Sequence, residues 1–348
     1  MRLAVLVSLI GFIGLIIPGW APAFDIEERQ VFDVSKPASQ LRILSTADLA
    51  VFAPYITAFQ RENPGIAIDY TVASSTEVMK AIFAEGQSFD LVISSAMDLQ
   101  TKLANDGFAR THLSDVTAGL PDWARWRDQV IAFTQEPAVM ILSEAAFEGL
   151  SMPQTRAELI SILRAHPERF RGRVGTYDIR TSGLGYLFAT QDSRVSESFW
   201  PLMEVLGRLQ PRLYCCSGAM IEDVITGRLA IAYNVLGSYA ERRLADQSGI
   251  RIVHPSDATS LMLRTAIIPT NAQDAGNAGR MIDFLAAGRG VGTVAGENAL
   301  PRIRAGGAED EFVRPIRLGP ELLVFLDAMR RKSFLQNWSL SVEQLDAD

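Results

Sequence analysis

The sequence has few of the residues that enzyme and metal chemistry usually needs. Of 348 residues, three are histidine and two are cysteine. His112, His166 and His254 are far apart in the chain. No H-E-x-x-H run and no paired His/Cys spacing points to zinc. No G-x-S-x-G elbow offers an activated serine. With no nucleophile–base pair in view, no enzyme is expected. Basic stretches are missing too: the formal net charge is −7, and a nucleic-acid binder would carry a basic stripe. The longest acidic cluster, Glu309-Asp310-Glu311, is too short to serve as an interaction tail. After the N-terminus no apolar run is long enough to span a bilayer.

The two cysteines are adjacent, Cys215-Cys216, and cannot staple distant segments. Two thiols and a vicinal disulfide both fit, the second requiring an oxidising compartment and strained local geometry. At the N-terminus Arg2 precedes an apolar run over residues 3–20, broken by Gly11, Gly14, Pro18 and Gly19. Ala21-Pro22-Ala23 then supplies small residues in a cleavage pattern. The expectation is a signal peptide over residues 1–23, cleaved after Ala23, and a periplasmic mature chain without cofactor. A membrane anchor is the alternative, but the run is short and ends in helix breakers.

Residues 24–40, charged, aperiodic and containing Pro37, read as an N-terminal extension in loop. A rhythm follows. An apolar strand at 41–44 leads into a helix at 48–61, where Leu49, Phe52, Ile56 and Phe59 recur every three or four residues. Asn63-Pro64-Gly65 ends it. A β-branched strand at 66–73, a helix at 77–85, a strand at 89–93 and a helix at 97–105 continue the alternation. Such alternation specifies a parallel sheet with helices on both faces. Strand-like runs at 130–142 and 261–269 read as crossings to and from a second α/β region. That region holds strands at 174–177, 229–233 and 250–254 among helices at 155–166, 183–190, 197–209, 217–225 and 238–245. Helices at 275–287, 321–331 and 334–338 complete the chain. The expected fold class is α/β, with two lobes joined by two crossing strands. Lobe 1 takes 41–133 plus 264–304, and lobe 2 takes 134–263 plus 305–348. The run Gly288-Arg289-Gly290-Val291-Gly292 follows a helix rather than a strand and lacks the phosphate-loop frame.

Hydroxyl residues stand directly after the strands of lobe 1: Ser45-Thr46, Ser74-Ser75-Thr76 and Ser94-Ser95. Parallel strands end on one edge of the sheet, and ligands of open α/β sheets bind at that edge. Each doublet also opens a helix, where free amides and the positive dipole end favour an anion. In lobe 2, Arg180-Thr181-Ser182, Ser217 and Tyr233-Asn234 repeat the theme, and Arg180 is suited to bidentate contact with carboxylate or phosphate. Ser and Thr are also preferred helix N-caps, worth about 1 kcal/mol each with no ligand. Capping needs one hydroxyl, however, and the strand ends carry two.

The segments ILSTADLAVFAPYITAFQRENPGIAIDY, SSTEVMKAIFAEG and FDLVISSAMDLQTKLANDG resemble the first lobe of ABC-transporter solute-binding proteins of the ferric-ion-binding type. RGRVGTYDIRTSGLGYLFATQDSR, GRLAIAYNVLGSYA and MIDFLAAGRGVGTVAGENALPRIR resemble later parts of the same family. The resemblance implies a monomeric receptor that closes on a ligand and delivers it to a membrane permease, or presents it to a membrane sensor kinase. Ferric-binding members use neighbouring tyrosines; here the matching stretch reads Leu213-Tyr214-Cys215-Cys216-Ser217. The first strand end, Ser45-Thr46-Ala47-Asp48, has no histidine. Fe³⁺ wants anionic oxygen ligands, so ferric iron stands as the alternative. The resemblance is closer to members that hold phosphorylated sugars, phosphoglycerate or carboxylates. The expected ligand is therefore a small anionic solute. Ser45, Thr46, Ser74, Ser75, Ser94 and Ser95 would contact it from one lobe, and Arg180, Thr181, Ser182, Ser217 and Asn234 from the other. Tyr233 would pack on its carbon skeleton.

Overall fold

A computed structural model describes residues 24–289, 300–304 and 312–344. The expected signal peptide, the acidic cluster at 309–311 and the end of the glycine-rich run at 290–292 lie outside them. The strands are β1 Glu28–Phe32, β2 Ser39–Ser45, β3 Ile66–Val72, β4 Leu91–Ser94, β5 Ala109–Arg110, β6 Arg125–Trp126 and β7 Val130–Ser143. Then come β8 Val174–Tyr177, β9 Arg212–Tyr214, β10 Ile231–Leu236, β11 Ile250–Val253, β12 Thr259–Pro269 and β13 Val313–Pro315. They hydrogen-bond in the order β1-β3-β2-β4-β12-β7-β10-β8-β9.

The first parallel group is β3-β2-β4; the second is β10-β8-β9. The long antiparallel strands β7 and β12 join them, paired from Leu261↔Pro137 to Ala266↔Ile131. On the near side β12 also pairs with β4. From Ala138 onward β7 changes partners and pairs with β10 and β11. Pro137, which lacks an amide donor, sits at this change of partner, where a proline in a strand is tolerated. These are the two crossing strands expected from the sequence. Every residue of β3 is buried, as befits a strand covered on both faces.

Two apolar cores follow from this layout. One includes Ile43, Phe52, Phe59, Ile68 and Ile93 about the first group and runs on into the second half through Leu187, Met220 and Val235. The other includes Leu159, Phe170, Leu206 and Trp338 under the second.

Two expectations are corrected. Residues 24–40 are not all loop: β1 pairs antiparallel with β3, from Glu28↔Val72 to Phe32↔Ile68. An edge strand is held by backbone bonds, so its charged outer face hides the alternation that would betray it. Arg29 anchors it on Asp69, with Nε and Nη2 at 2.8 and 2.6 Å from the two carboxylate oxygens. At the C-terminus the residues expected as two helices divide elsewhere. A 3₁₀ turn, Pro320–Leu326, precedes one long helix, Ala328–Val342. The break falls at Asp327, whose side chain accepts from the Arg330 amide as an N-cap.

Candidate ligand-binding cleft

A cavity of about 730 Å³ lies between the two α/β halves. From the first half it is lined by Thr46, Asp48, Ser74, Ser75 and Ser95, and from the second by Tyr177, Ser182, Ser217, Tyr239 and Arg243. That volume is within the usual range for small-molecule sites, roughly 300–1,000 Å³.

The strand-end doublets divide their labour. Ser45 and Ser94, the last residues of β2 and β4, are buried. Their hydroxyls accept the amides of Ala47 and Ala96 at 3.0 and 3.1 Å. Both are local turn caps rather than cavity residues. The next residue in each case lines the cavity. Thr46 Oγ1 accepts the Ser95 amide at 3.1 Å, tying the two strand ends together. Ser74 caps its helix by accepting the Glu77 amide, and Ser75 Oγ accepts the Gly183 amide from the other half at 3.0 Å.

From the second half, Ser182 caps the helix Gly183–Val195 by accepting the Gly185 amide. Ser217 begins the helix Ser217–Ile225; it shares a 2.5 Å hydrogen bond with Tyr177 and accepts the Leu236 amide.

The remaining expected residues of the second half lie elsewhere. Arg180 does not line the cavity. Its guanidinium grips Asp178 in bidentate fashion, at 2.8 Å for both Nε and Nη2. It also pairs with Glu343 and lies over the Trp338 ring. The turn that brings Arg180 beside Thr181-Ser182 in sequence aims its side chain at the C-terminal helix. Thr181 is exposed and offers its carbonyl to Thr76 Oγ1 at 3.0 Å. Tyr233 and Asn234 are buried in a polar network: both donate to Asp192, at 3.1 and 2.8 Å, and Arg156 Nε donates to the Tyr233 hydroxyl at 2.7 Å. Asn234 sits at φ +62°, a left-handed conformation that Asn tolerates. These residues organise the interior behind the cleft.

Sequence reading missed the cation that does line the cavity, Arg243. It projects from the helix Gly237–Leu244, where no motif marks it. Its Nη1 donates to the Gly218 carbonyl at 3.3 Å, and its Nη2 is 3.8 Å from Asp48 Oδ2. A Cβ on residue 218 would come within 3.1 Å of Nη2; glycine leaves the guanidinium room over the first turn of the helix. Glu27, Glu28 and Glu222 also border the cavity. Burial, and then the charge of Asp48, raise the Glu27 carboxyl above its ordinary range. Burial likewise pushes the Tyr177 and Tyr239 phenols well up, so neither is a ready phenolate. Cys215 and Cys216 complete one wall, as free thiols.

Several hydrogen bonds span the cleft. Besides Ser75–Gly183 and Thr76–Thr181, the Asp48 amide donates to the Tyr239 hydroxyl at 3.2 Å, and Arg242 Nη2 donates to the Ala50 carbonyl at 2.7 Å. This is a closed arrangement of the two halves.

Residues 41–295 match the family of bacterial extracellular solute-binding proteins. No curated protein matches the chain in sequence. Among solved structures, the substrate binding protein of an ABC transporter from Agrobacterium tumefaciens is 31% identical, with a TM-score of 0.85 over 92% of this chain and 100% of that one. AfuA from Actinobacillus pleuropneumoniae, with fructose-6-phosphate bound, is 13% identical, with a TM-score of 0.71 over 88% of this chain and 99% of that one. Iron-bound HitA from Pseudomonas aeruginosa is 16% identical, with a TM-score of 0.68 over 87% and 99%. The last two share the fold. Two α/β lobes, two crossing strands and a polar cleft between them are the architecture of such receptors, and this chain belongs to the bacterial extracellular solute-binding protein family.

Proposed function

We propose that this protein is the periplasmic receptor of an ABC transport system, and that its cleft holds a small phosphorylated or carboxylated solute. It acts as a monomer, hands the solute to a membrane permease and performs no chemistry on it. The observation that carries this reading is the convergence on one cavity of two helix starts, Gly183–Val195 and Ser217–Ile225, with Thr46, Ser95, Ser182, Ser217 and the Arg243 guanidinium around them. Helix N-termini and hydroxyls favour an anionic head group, and Arg243 adds a charge-assisted donor. Glu27, Glu28 and Glu222 supply acceptors for the hydroxyls of a sugar-like remainder. A phosphorylated sugar therefore suits a cavity lined by both kinds of group.

Ferric iron is less well supported. The two tyrosines that line the cleft, Tyr177 and Tyr239, are not neighbours in the chain, burial pushes both phenols up, and among the described residues no three His, Cys, Asp or Glu side chains gather to hold a metal ion. Closure would swing 41–133 plus 264–304 against 134–263 plus 305–348 about β7 and β12. The solute drives it by binding the closed form better than the open one.

A thermal-shift screen of residues 24–348 tests the proposal, using phosphorylated sugars, phosphoglycerates, inorganic anions, di- and tricarboxylates and ferric citrate. A ligand present at about 1,000 times its Kd stabilises by about 4 kcal/mol, a shift of several degrees. A large shift with one phosphorylated or carboxylated compound supports the proposal. A shift with ferric citrate alone overturns it.

A further inference from the structure

Cys215 and Cys216 fall outside the binding chemistry described above. They are adjacent in sequence, their Sγ atoms are 2.7 Å apart, and both thiols are exposed along the wall of the cavity. Cys216 is the N-cap position of the helix Ser217–Ile225, yet no side chain caps this helix start. The pair thus lies at the positive end of a helix dipole, which favours a thiolate.

We propose that Cys215 and Cys216 form a reversible dithiol–disulfide site that exchanges with external disulfides. Cys215 is the attacking thiol. A hydrogen bond from Cys216 stabilises its thiolate and brings it down to about 7, while the same contact pushes Cys216 up. In the first step the Cys215 thiolate attacks one sulfur of a disulfide RS–SR, forming a Cys215–SR bond and releasing RS⁻. In the second, Cys216 loses its proton and attacks Cys215 Sγ, forming the Cys215–Cys216 bond and releasing the second RS⁻. The pair gives up two electrons and two protons, and RS–SR becomes two RSH. A ring closed through a single peptide bond is strained and hence readily reduced, which makes the site an exchanging one rather than a structural staple. An extracellular family works where such disulfides persist. The proposal concerns the thiols alone and holds whatever solute the cavity takes.

The experiment is incubation of reduced residues 24–348 with oxidised glutathione at pH 7, followed by intact-mass measurement. The expected product is a chain lighter by two hydrogens, restored to its starting mass by dithiothreitol. Cys216→Ser should stop at one glutathione adduct. Cys215→Ser should react at least about ten-fold more slowly, because its remaining thiol lacks the thiolate-stabilising partner. Circular dichroism melts of both variants verify that they are folded, and the wild-type mass is a readout free of substitution. Stable adducts on both cysteines of the wild type, disulfide-linked dimers, or unchanged mass would each overturn the proposal. Solute binding in the thermal screen is measured on reduced protein, so either reading can fail alone.

Discussion

The amide of Gly183, the first residue of its helix, donates to the hydroxyl of Ser75 across the cleft at 3.0 Å. A Cβ on residue 183 would come within 2.7 Å of that hydroxyl and 2.9 Å of Leu99 Cδ1. One contact between the two lobes thus passes over a residue with no side chain. Gly183→Ala is expected to separate effects that usually travel together. Helix propensity should hold or raise the melting temperature, since alanine is favoured over glycine by up to about 1 kcal/mol. The closed form, by contrast, should be penalised. Small-angle scattering should report a larger radius of gyration, and solute affinity should fall several-fold. A variant as closed as the wild type would contradict this.

Asp98 predicts a pH dependence of stability. Its carboxyl is buried in the first turn of the helix Met97–Asn105, and its Oδ1 has no hydrogen-bond partner. Burial raises it to about 7, against the pull of its own and the Leu99 amides and of the Arg331 charge. The folded state then holds a proton that the unfolded state releases near 4, so stability falls as pH rises from about 4 to about 7 and levels off above that. The full penalty is on the order of 4 kcal/mol. Asp98→Asn should leave the melting temperature at pH 4 unchanged and raise it at pH 7. Equal shifts at both pH values would show that Asp98 does not titrate in this window.

The crossing strands are locked by an ion pair. Arg264 on β12 donates to Glu136 on β7 through Nε and Nη2 at 3.0 and 3.1 Å, and both side chains are buried. Removing one partner from such a pair leaves an uncompensated charge, at about 3–5 kcal/mol. Arg264→Leu should therefore destabilise strongly in urea titrations, and the double variant Arg264→Leu/Glu136→Leu should regain most of the loss. An additive double variant would mean that the pair is not coupled.

Much of the fold was legible in the sequence, because period and punctuation carry it. The alternation of β-branched runs with 3.6-residue periodicity gave the parallel groups, and two apolar runs without a helical partner gave β7 and β12. β1 was hidden because an edge strand is defined by backbone pairing that its charged residues do not advertise. The cleft was legible only in part. Strand ends mark the right edge of the sheet, but successive residues leave a strand in opposite directions. That is why Ser45 and Ser94 turn inward while Thr46 and Ser95 reach the cavity. Arg180 was a natural choice from its neighbours in sequence, yet Asp178, two residues earlier, claims it. Arg243 reaches the site through the packing of a helix far along the chain, and local sequence gives no sign of that.

The most direct test is isothermal titration of the stabilising anionic compound into wild type, Arg243→Ala and Arg180→Ala. Arg243→Ala should lose about 1.5–3 kcal/mol, roughly ten-fold to a hundred-fold or more in affinity, as expected for a charge-assisted hydrogen bond. Arg180→Ala should bind like the wild type and change stability by no more than about 1 kcal/mol, as expected for a half-exposed ion pair. The opposite pattern, with affinity lost at Arg180 and kept at Arg243, would contradict the placement of the solute in this cleft.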